Sequence, residues 1–403
     1  MLLVAKTSRA AGGFHYSTAG SSEEQYLVHS SEVIAEQDTR TKKRPAVMAP
    51  PSRMEVSALW LLAVVLFLLT LVQFQSYTFK VDNFGDNPAY LKAASAIQHW
   101  DFRDAEVKLF WGLPYVIAGL SWLPVSARTD LLLICLVSSL ISVLLVRELW
   151  GPWVAGYFAV LSFRWIQVSV LGGNEPLFVA LLFSSFWASR KERWLVASLL
   201  AALATLVRPL GIFALIGIGV TLLYRRDYKK AFQCTALAAF IGALYLLPFW
   251  LYFHDPLYQF HLYKQRDWQS GSAIGLPFRA IAISFMHNRE PWTNVIVTMA
   301  WIIFAFAGLC AMASETFRQY IRERRTECIF GFLYLFFIFS YNSVSWARAE
   351  FPRFVIPVIP LLLLALERWL PKSRYVLYGL GIVSAVLGAC SAVGIRNVLP
   401  ALR

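Results

Sequence analysis

The sequence predicts an all-α fold, a polytopic transmembrane helix bundle of about 10–12 spans with short helices in two non-cytoplasmic loops. Three observations carry that prediction. First, the 403 residues are 58% hydrophobic and only 15% charged, with a mean hydropathy of +0.55; a soluble chain is near half apolar and about a quarter charged. Second, the apolar residues gather in runs of roughly 17–25, the length that crosses a bilayer core. Third, the basic residues fall in short clusters between those runs, as they do in cytoplasmic loops. There is too little polar surface to cover a water-soluble globule, so hydrocarbon must solvate much of the chain.

The elements follow in order. Residues 1–50 are rich in Ser, Thr, Glu, Gln and Lys, and hold no apolar run long enough for the core of a signal peptide. They are expected to form a disordered cytoplasmic extension ahead of a single transmembrane domain over 51–403, with Met48 and Met54 as alternative starts of the functional chain. Lys42-Lys43-Arg44 and Arg53 precede the first span and hold this end inside. Spans are expected near 57–75, 108–124, 130–147, 152–171, 175–189, 194–224 (one long span or a pair), 231–252, 293–313, 327–341, 354–370 and 374–394. Two polar connections stand out by length, 76–107 and 253–292.

Charge orients the second half. The run Arg225 to Lys230 belongs inside, so 253–292 lies outside; the run Arg318 to Arg325 is inside again, 342–353 is outside, and Glu367 through Arg374 returns inside. The first half leaves two counts open. Five crossings up to Tyr224 put Arg190-Lys191-Glu192-Arg193 outside, against the charge rule; six put that run inside but break the parity unless 108–124 is re-entrant. Either count leaves the two long loops on one face.

The formal net charge of +13, from 37 Lys+Arg against 24 Asp+Glu, is spread over these loops and not gathered on one soluble domain, which argues against nucleic acid as a partner. The five cysteines lie in or beside apolar spans without a CxxC or Cys/His spacing. They read as small core residues, neither disulfides nor a zinc site.

Chemistry is confined to a few positions. Loop 76–107 carries Asp82, Asp86, Asp101, Asp104 and Glu106 directly after an exit helix. A carboxylate at a membrane–water boundary can act as a general base on a bound hydroxyl; equally, such acids keep a loop solvated. Asp86 stands two residues ahead of Pro88, which suits a first helical turn, so a helix N-cap is the plain alternative for it. Within the apolar part, ionisable residues are costly and are functional or paired. Arg208, beside Pro209 and some fifteen residues from either basic flank, favours function. Glu175, after Gly172-Gly173-Asn174, and Arg353, near Arg348 and Glu350, are either functional or boundary residues. The second loop opens His254-Asp255-Pro256-Leu257-Tyr258 and continues to Lys264-Gln265-Arg266-Asp267-Trp268. Its aromatic and basic residues suit either an anionic headgroup or an interfacial helix. His254 lacks a second histidine at ligand spacing; two acids could hold a divalent metal, though nothing demands one.

Five segments, in order, resemble a known pattern. Gly85-Asp86-x-x-x-Tyr90-Leu91 resembles the first outer loop of GT-C-fold glycosyltransferases. Asn174-Glu175-Pro176-Leu177-Phe178 resembles their Ser-Glu-Pro-Leu-Phe-like element, with Asn for Ser. Leu206-Val207-Arg208-Pro209-Leu210-Gly211 is similar to their Thr-Arg-Pro-x-Gly element, with Val before the Arg. Asp255-Pro256-Leu257 is similar to a Gly-Asp-Pro-Leu element, with His254 for Gly, and Arg353-Phe354 with Pro357 and Pro360 to an Arg-Tyr-x-x-Pro-x-x-Pro element. The resemblance covers roughly residues 80–370 and comes nearest to polyprenyl-phosphate-sugar-dependent mannosyltransferases. It implies transfer of one sugar, mannose favoured, from a polyprenyl-phosphate donor to a hydroxyl of a lipid, glycan or protein acceptor on the non-cytoplasmic face, with inversion. It further implies Asp86 as base with Asp82 as substitute, Arg208 and Arg353 as donor-phosphate ligands, and Glu175, Asp255 and Tyr90 as substrate-binding residues. The rival readings are a secondary transporter or lipid flippase that uses Arg208 and Glu175, and a non-catalytic scaffold. With no retrieval or lipidation signal visible, a bacterial inner membrane is favoured over endoplasmic reticulum.

Overall fold

A computed structural model of the chain describes residues 49–74, 77–102, 109–267, 274–286, 292–342 and 350–394. The expected extension over 1–50 therefore lies, up to residue 48, outside the described residues, as do Asp104, Glu106, Trp268 and Arg348. Pro50–Arg403 forms one unit. Apart from an isolated bridge between Ile274 and Tyr341, its described elements are helical, as the sequence predicts.

The helices are, in chain order, α1 (Arg53–Gln73), α2 (Tyr77–Asn83), α3 (Asn87–His99), α4 (Gly112–Gly119), α5 (Ala127–Trp150), α6 (Pro152–Leu161), α7 (Phe163–Leu171), α8 (Glu175–Arg190), α9 (Trp194–Val207) and α10 (Ile212–Tyr224). They continue with α11 (Tyr228–Phe253), α12 (Tyr258–Asp267), α13 (Arg279–Met286), α14 (Trp292–Ala311), α15 (Glu315–Glu323), α16 (Arg325–Ser340), α17 (Phe351–Phe354), α18 (Ile359–Ala365) and α19 (Arg374–Val393). Four of them, α1, α5, α11 and α19, are long and apolar enough to cross a bilayer unaided, and α6 with α7 makes a fifth that bends by 71°. Large apolar side chains such as Leu61 and Leu69 of α1, Phe232 of α11, Ile303 of α14 and Phe336 of α16 stay exposed, as they do where the solvent is hydrocarbon. The protein is a multi-pass integral membrane protein.

Contacts between helix ends sort the bundle into two ends. At one end Arg53 pairs with Glu148, and Arg374 with Glu55 at 3.1 Å. Arg190 pairs with Glu327 at 2.6 Å and donates to the Leu149 carbonyl, and Arg225 pairs with Glu192 at 2.7 Å. This end gathers the basic runs. At the other end Asp82 pairs with Arg128, Asn87 donates to the Leu171 carbonyl at 2.7 Å, and Gly275 N–H donates to the Ser340 carbonyl at 2.8 Å. The described parts of both long loops lie there.

The Arg225–Glu192 pair means that α9 runs away from the basic end and α10 returns to it, so 194–224 is a pair of helices with Arg208 at the corner. The segment 108–124, expected as a span, contains among its described residues only the eight-residue α4, about 12 Å long, too short to cross. With α4 excluded, the Arg190 and Arg225 runs fall on one end, and the open parity closes.

Helix length also sets depth. At about 1.5 Å per residue, α8, α9 and α10, of 16, 14 and 13 residues, reach about 24, 21 and 20 Å from the basic end. By the same rise α1, α5 and α11, of 21, 24 and 26 residues, reach about 32, 36 and 39 Å. The short helices stop below the rim made by the long ones and leave a basin. The first loop packs into one side of it. A Cβ added at Gly112 would lie 2.6 Å from the backbone of Leu206 and Val207, so α4 rests directly on the end of α9. Aromatic packing of Phe102, Trp111, Tyr245 and Phe249 joins that loop to α11.

Candidate active site

Three helix termini meet in the basin. Glu175 is the first residue of α8, where the helix dipole favours an acid and Pro176 forgoes an N–H that has no partner. Arg208 stands at the corner after α9 in extended conformation, φ −144° and ψ 129°, ahead of the 3₁₀ turn Pro209–Gly211. Arg353 lies in α17. The Glu175 side chain, 0% exposed, pairs with Arg208 at 3.1 Å and also accepts from Arg353 Nε. Arg353 Nη1 donates on to Glu350 at 3.2 Å. Buried charge is tolerated only when it is paired and hydrogen-bonded, and one carboxylate here serves two guanidiniums. Glu175 Oε2 and Arg208 Nη1 are buried with no hydrogen-bond partner among the described residues. The Phe354 ring lies under the Arg208 guanidinium at 4.8 Å, and Tyr334, whose hydroxyl donates to the Phe354 carbonyl at 2.9 Å, fixes that turn from α16.

The Asp86 loop reaches the same place. Gly85 takes φ +54°, a left-handed conformation that glycine adopts without strain, and its α-carbon faces Arg353, whose Nη1 would lie 3.6 Å from an added Cβ. Asp86 occupies the N-cap position of α3, with Pro88 in the first turn as expected, but its side chain makes no capping hydrogen bond. Asn87, fully buried, pins the loop by donating to the carbonyls of Val81 at 2.9 Å and Leu171 at 2.7 Å. Tyr90, one turn on, is buried within electrostatic reach of Asp86, Arg353, Glu175 and Arg208. Burial, reinforced by the Asp86 charge, pushes its hydroxyl well above the usual tyrosine range, so it stays protonated and able to donate. Asp86, Tyr90, Glu175, Arg208 and Arg353 thus converge from four segments that are distant in sequence.

Two other expected residues stand apart. Asp82 is half-exposed and paired with Arg128 of α5, which anchors α2. Asp255 accepts from Leu257 N–H at 2.9 Å and pairs with His261 at 2.9 Å, the local bonding of a turn. Among the described residues no group of three or more His, Cys, Asp or Glu side chains is placed to hold a metal. One charged residue of this region escaped the sequence reading. Arg164, in the first turn of α7, lies within electrostatic reach of Glu350, Arg353 and Glu175. An arginine inside the apolar run 152–171 is the signal that identifies it.

Fold and cluster together define a multi-pass membrane protein whose ionisable groups are sunk into one end of an apolar bundle. The sequence model of Glycosyltransferase family 87 matches residues 108–341, more than half the chain, and the chain belongs to that family. Membership of a glycosyltransferase family argues against the transporter and scaffold readings. Among solved structures the chain is similar to ArnT from Cupriavidus metallidurans bound to undecaprenyl phosphate, with 15% identity and a TM-score of 0.47 over 78% of this chain and 62% of that one. It is also similar to ArnT from the same organism in the apo state, with 16% identity and a TM-score of 0.40 over 78% and 61%. The chain thus spans about three fifths of the length of those proteins. No curated protein matches it.

Proposed function

We propose that this glycosyltransferase moves one sugar, mannose favoured, from a polyprenyl-phosphate donor to an acceptor hydroxyl on the non-cytoplasmic face of an inner membrane, with inversion. The observation that carries the reading is the meeting of an acid that leaves its helix uncapped, Asp86, with a buried guanidinium cluster at one end of the bundle. Asp86 takes the proton of the acceptor hydroxyl, whose oxygen bonds to the anomeric carbon. The bond from that carbon to the phosphate oxygen breaks, and its electron pair stays on the departing polyprenyl phosphate.

The leaving phosphate gains negative charge, and preorganised cations in a water-poor site stabilise such charge strongly. Arg208 and Arg353 supply them, and the unmatched Arg208 Nη1 is a donor without a protein partner among the described residues. The N-terminus of α8 adds its positive dipole end. Glu175 holds both guanidiniums between turnovers, and Tyr90 remains a hydroxyl donor. A basin below the bundle rim suits a donor whose headgroup is tethered to a lipid. Sidedness follows from charge: the end bearing Arg53, Arg190 and Arg225 is cytoplasmic by the positive-inside rule, which leaves the cluster facing out.

The test is transfer from radiolabelled polyprenyl-phosphate sugars by the reconstituted protein, wild type against Asp86→Asn. Removal of a general base is expected to slow transfer by about 10²–10⁴-fold. No transfer from any such donor, or an undiminished Asp86→Asn enzyme, overturns the proposal.

A further inference from the structure

We propose that the joint between α7 and α8, Gly172-Gly173-Asn174, positions the reacting groups: its first residue sets Asp86, its second Glu175 and its third Arg208. This inference rests on the transferase reading above and adds three positioning residues that act through other side chains.

Each link is a direct contact. Gly172 takes φ +97° and Gly173 φ +141°, backbone that glycine adopts without strain and a side chain does not. At Gly172 the missing side chain also leaves the space that Asn87 occupies. An added Cβ would lie 2.7 Å from Asn87 Nδ2 and 3.0 Å from its Oδ1. That amide cannot swing aside without loss, because it donates to the Leu171 carbonyl at the end of α7 and to the Val81 carbonyl of α2. Asn87 follows Asp86 in the chain, so a shift at Gly172 reaches the base through one peptide bond.

At Gly173 an added Cβ would lie 2.7 Å from Glu175 Oε2, while Oε1 of the same carboxylate holds both Arg208 and Arg353. A methyl here pushes on the acid that the two guanidiniums share. The Gly173 carbonyl accepts from the Cys135 thiol at 3.3 Å, which ties the joint to α5. Asn174 is buried, and its Nδ2 donates at 3.3 Å to the Val207 carbonyl, part of the peptide bond that enters Arg208. Three consecutive residues thus touch the Asp86 loop, the shared counter-ion and the α9 corner. Reacting groups must be held to within about 0.5 Å, and a displacement of about 1 Å can cost 10²-fold in rate. Moving the base affects the chemical step and not the hold on the donor, whereas moving the arginines weakens the hold on its phosphate.

The test is steady-state transfer by reconstituted Gly172→Ala, Gly173→Ala, Asn87→Ala and Asn174→Ala, with thermal unfolding of each. The donor is the radiolabelled polyprenyl-phosphate sugar that wild type transfers. Gly172→Ala and Asn87→Ala are expected to lower kcat by about tenfold to a hundredfold and to leave the donor KM as in wild type. Gly173→Ala and Asn174→Ala are expected to raise the donor KM by about fivefold or more. Both glycine variants carry backbone strain, so a merely structural joint would lower melting and activity alike without separating kcat from KM. Gly172→Ala combined with Asn87→Ala should lower kcat no further than the worse single variant, since the two act through one contact. If the glycine variants do not fold, Asn87→Ala and Asn174→Ala, whose backbones are helical, decide. Gly172→Ala and Gly173→Ala shifting kcat and donor KM in the same proportion overturns the positioning role and leaves the transferase reading standing. So does a wild-type kcat in Asn87→Ala or a wild-type donor KM in Asn174→Ala. A wild-type protein that transfers no polyprenyl-phosphate sugar overturns both.

Discussion

Glu175 is an acid with no exposed surface that faces two arginines, and its removal tests whether the cluster is an electrostatic unit. Glu175→Gln leaves Arg208 without its ion-pair partner and Arg353 with Glu350 alone. Breaking a buried pair from one side costs on the order of 3–5 kcal/mol, so this variant is expected to melt well below wild type in detergent. Asp86→Asn keeps the size and polarity of its side chain and should melt closer to wild type than Glu175→Gln does, while transfer collapses. Equal melting of the two variants would show that Glu175 is not the counter-ion described here. At Gly85, alanine meets only ordinary contact with Arg353 but must adopt φ +54°; about 1–2 kcal/mol of backbone strain is expected, visible as a lower melting temperature with the donor KM raised. Much of this was legible in sequence, because Arg208 and Glu175 are ionisable residues in apolar surroundings and such residues seldom lack a partner. Their mutual pairing was not legible, since they stand 33 positions apart and nothing in a one-dimensional pattern states which helix ends meet. For Asp86 the sequence offered a helix cap as well as a base, and the structure shows no capping hydrogen bond from its side chain.

The corner between α9 and α10 and the short helix α4 are one structural device. Gly112 lets α4 approach the Leu206–Val207 backbone so closely that any side chain must push it away. Gly112→Val is therefore expected to displace the peptide that precedes Arg208, costing about 1–3 kcal/mol as overpacking does and lowering transfer at least as much as it lowers stability. Gly119→Ala, at the other end of the same helix, meets nothing within 4 Å and should behave as wild type in melting and transfer. If the two substitutions behave alike, α4 does not support the corner. This helix is where hydropathy misled. The run 108–124 is apolar enough to suggest a span, but its apolar side chains serve to pack against other protein: Trp111, Leu113 and Ile117 are fully buried. Hydropathy measures transfer to an apolar medium and does not distinguish lipid from protein interior. The run 194–224 was ambiguous for a related reason, since Arg208-Pro209 breaks a helix without stating whether the chain continues or turns back. The bend at Ser162 was hidden because a serine in an apolar run carries little weight until its hydroxyl is seen to cap the following helix.

For the whole molecule, everything proposed about the acceptor depends on which way the bundle faces. The basic runs around Arg190, Arg225 and Arg374 share one end through their ion pairs, and the cluster occupies the other, so a single determination of sidedness fixes both. Positive-inside bias acts through short loops close to span ends, and the loops 191–193 and 225–227 are of that kind, being bounded by α8 and α9 and by α10 and α11. Single cysteines placed in a background from which Cys135, Cys234, Cys310, Cys328 and Cys390 have been removed report the answer. Three of those five are buried, so their replacement by alanine should disturb packing modestly, and transfer activity of the background protein verifies it. Leu257→Cys, at a position 46% exposed in the second long loop, should react with a membrane-impermeant maleimide on intact cells. Lys191→Cys and Lys229→Cys, exposed at the basic end, should react only after permeabilisation. The reverse pattern would place Asp86 and its arginines in the cytoplasm, where a nucleotide-activated sugar, not a polyprenyl-phosphate one, would be the accessible donor. A mixed pattern, with Lys191 and Lys229 on opposite sides, would break the α9–α10 pair itself, because the Arg225–Glu192 contact requires both ends of that pair to emerge from one face.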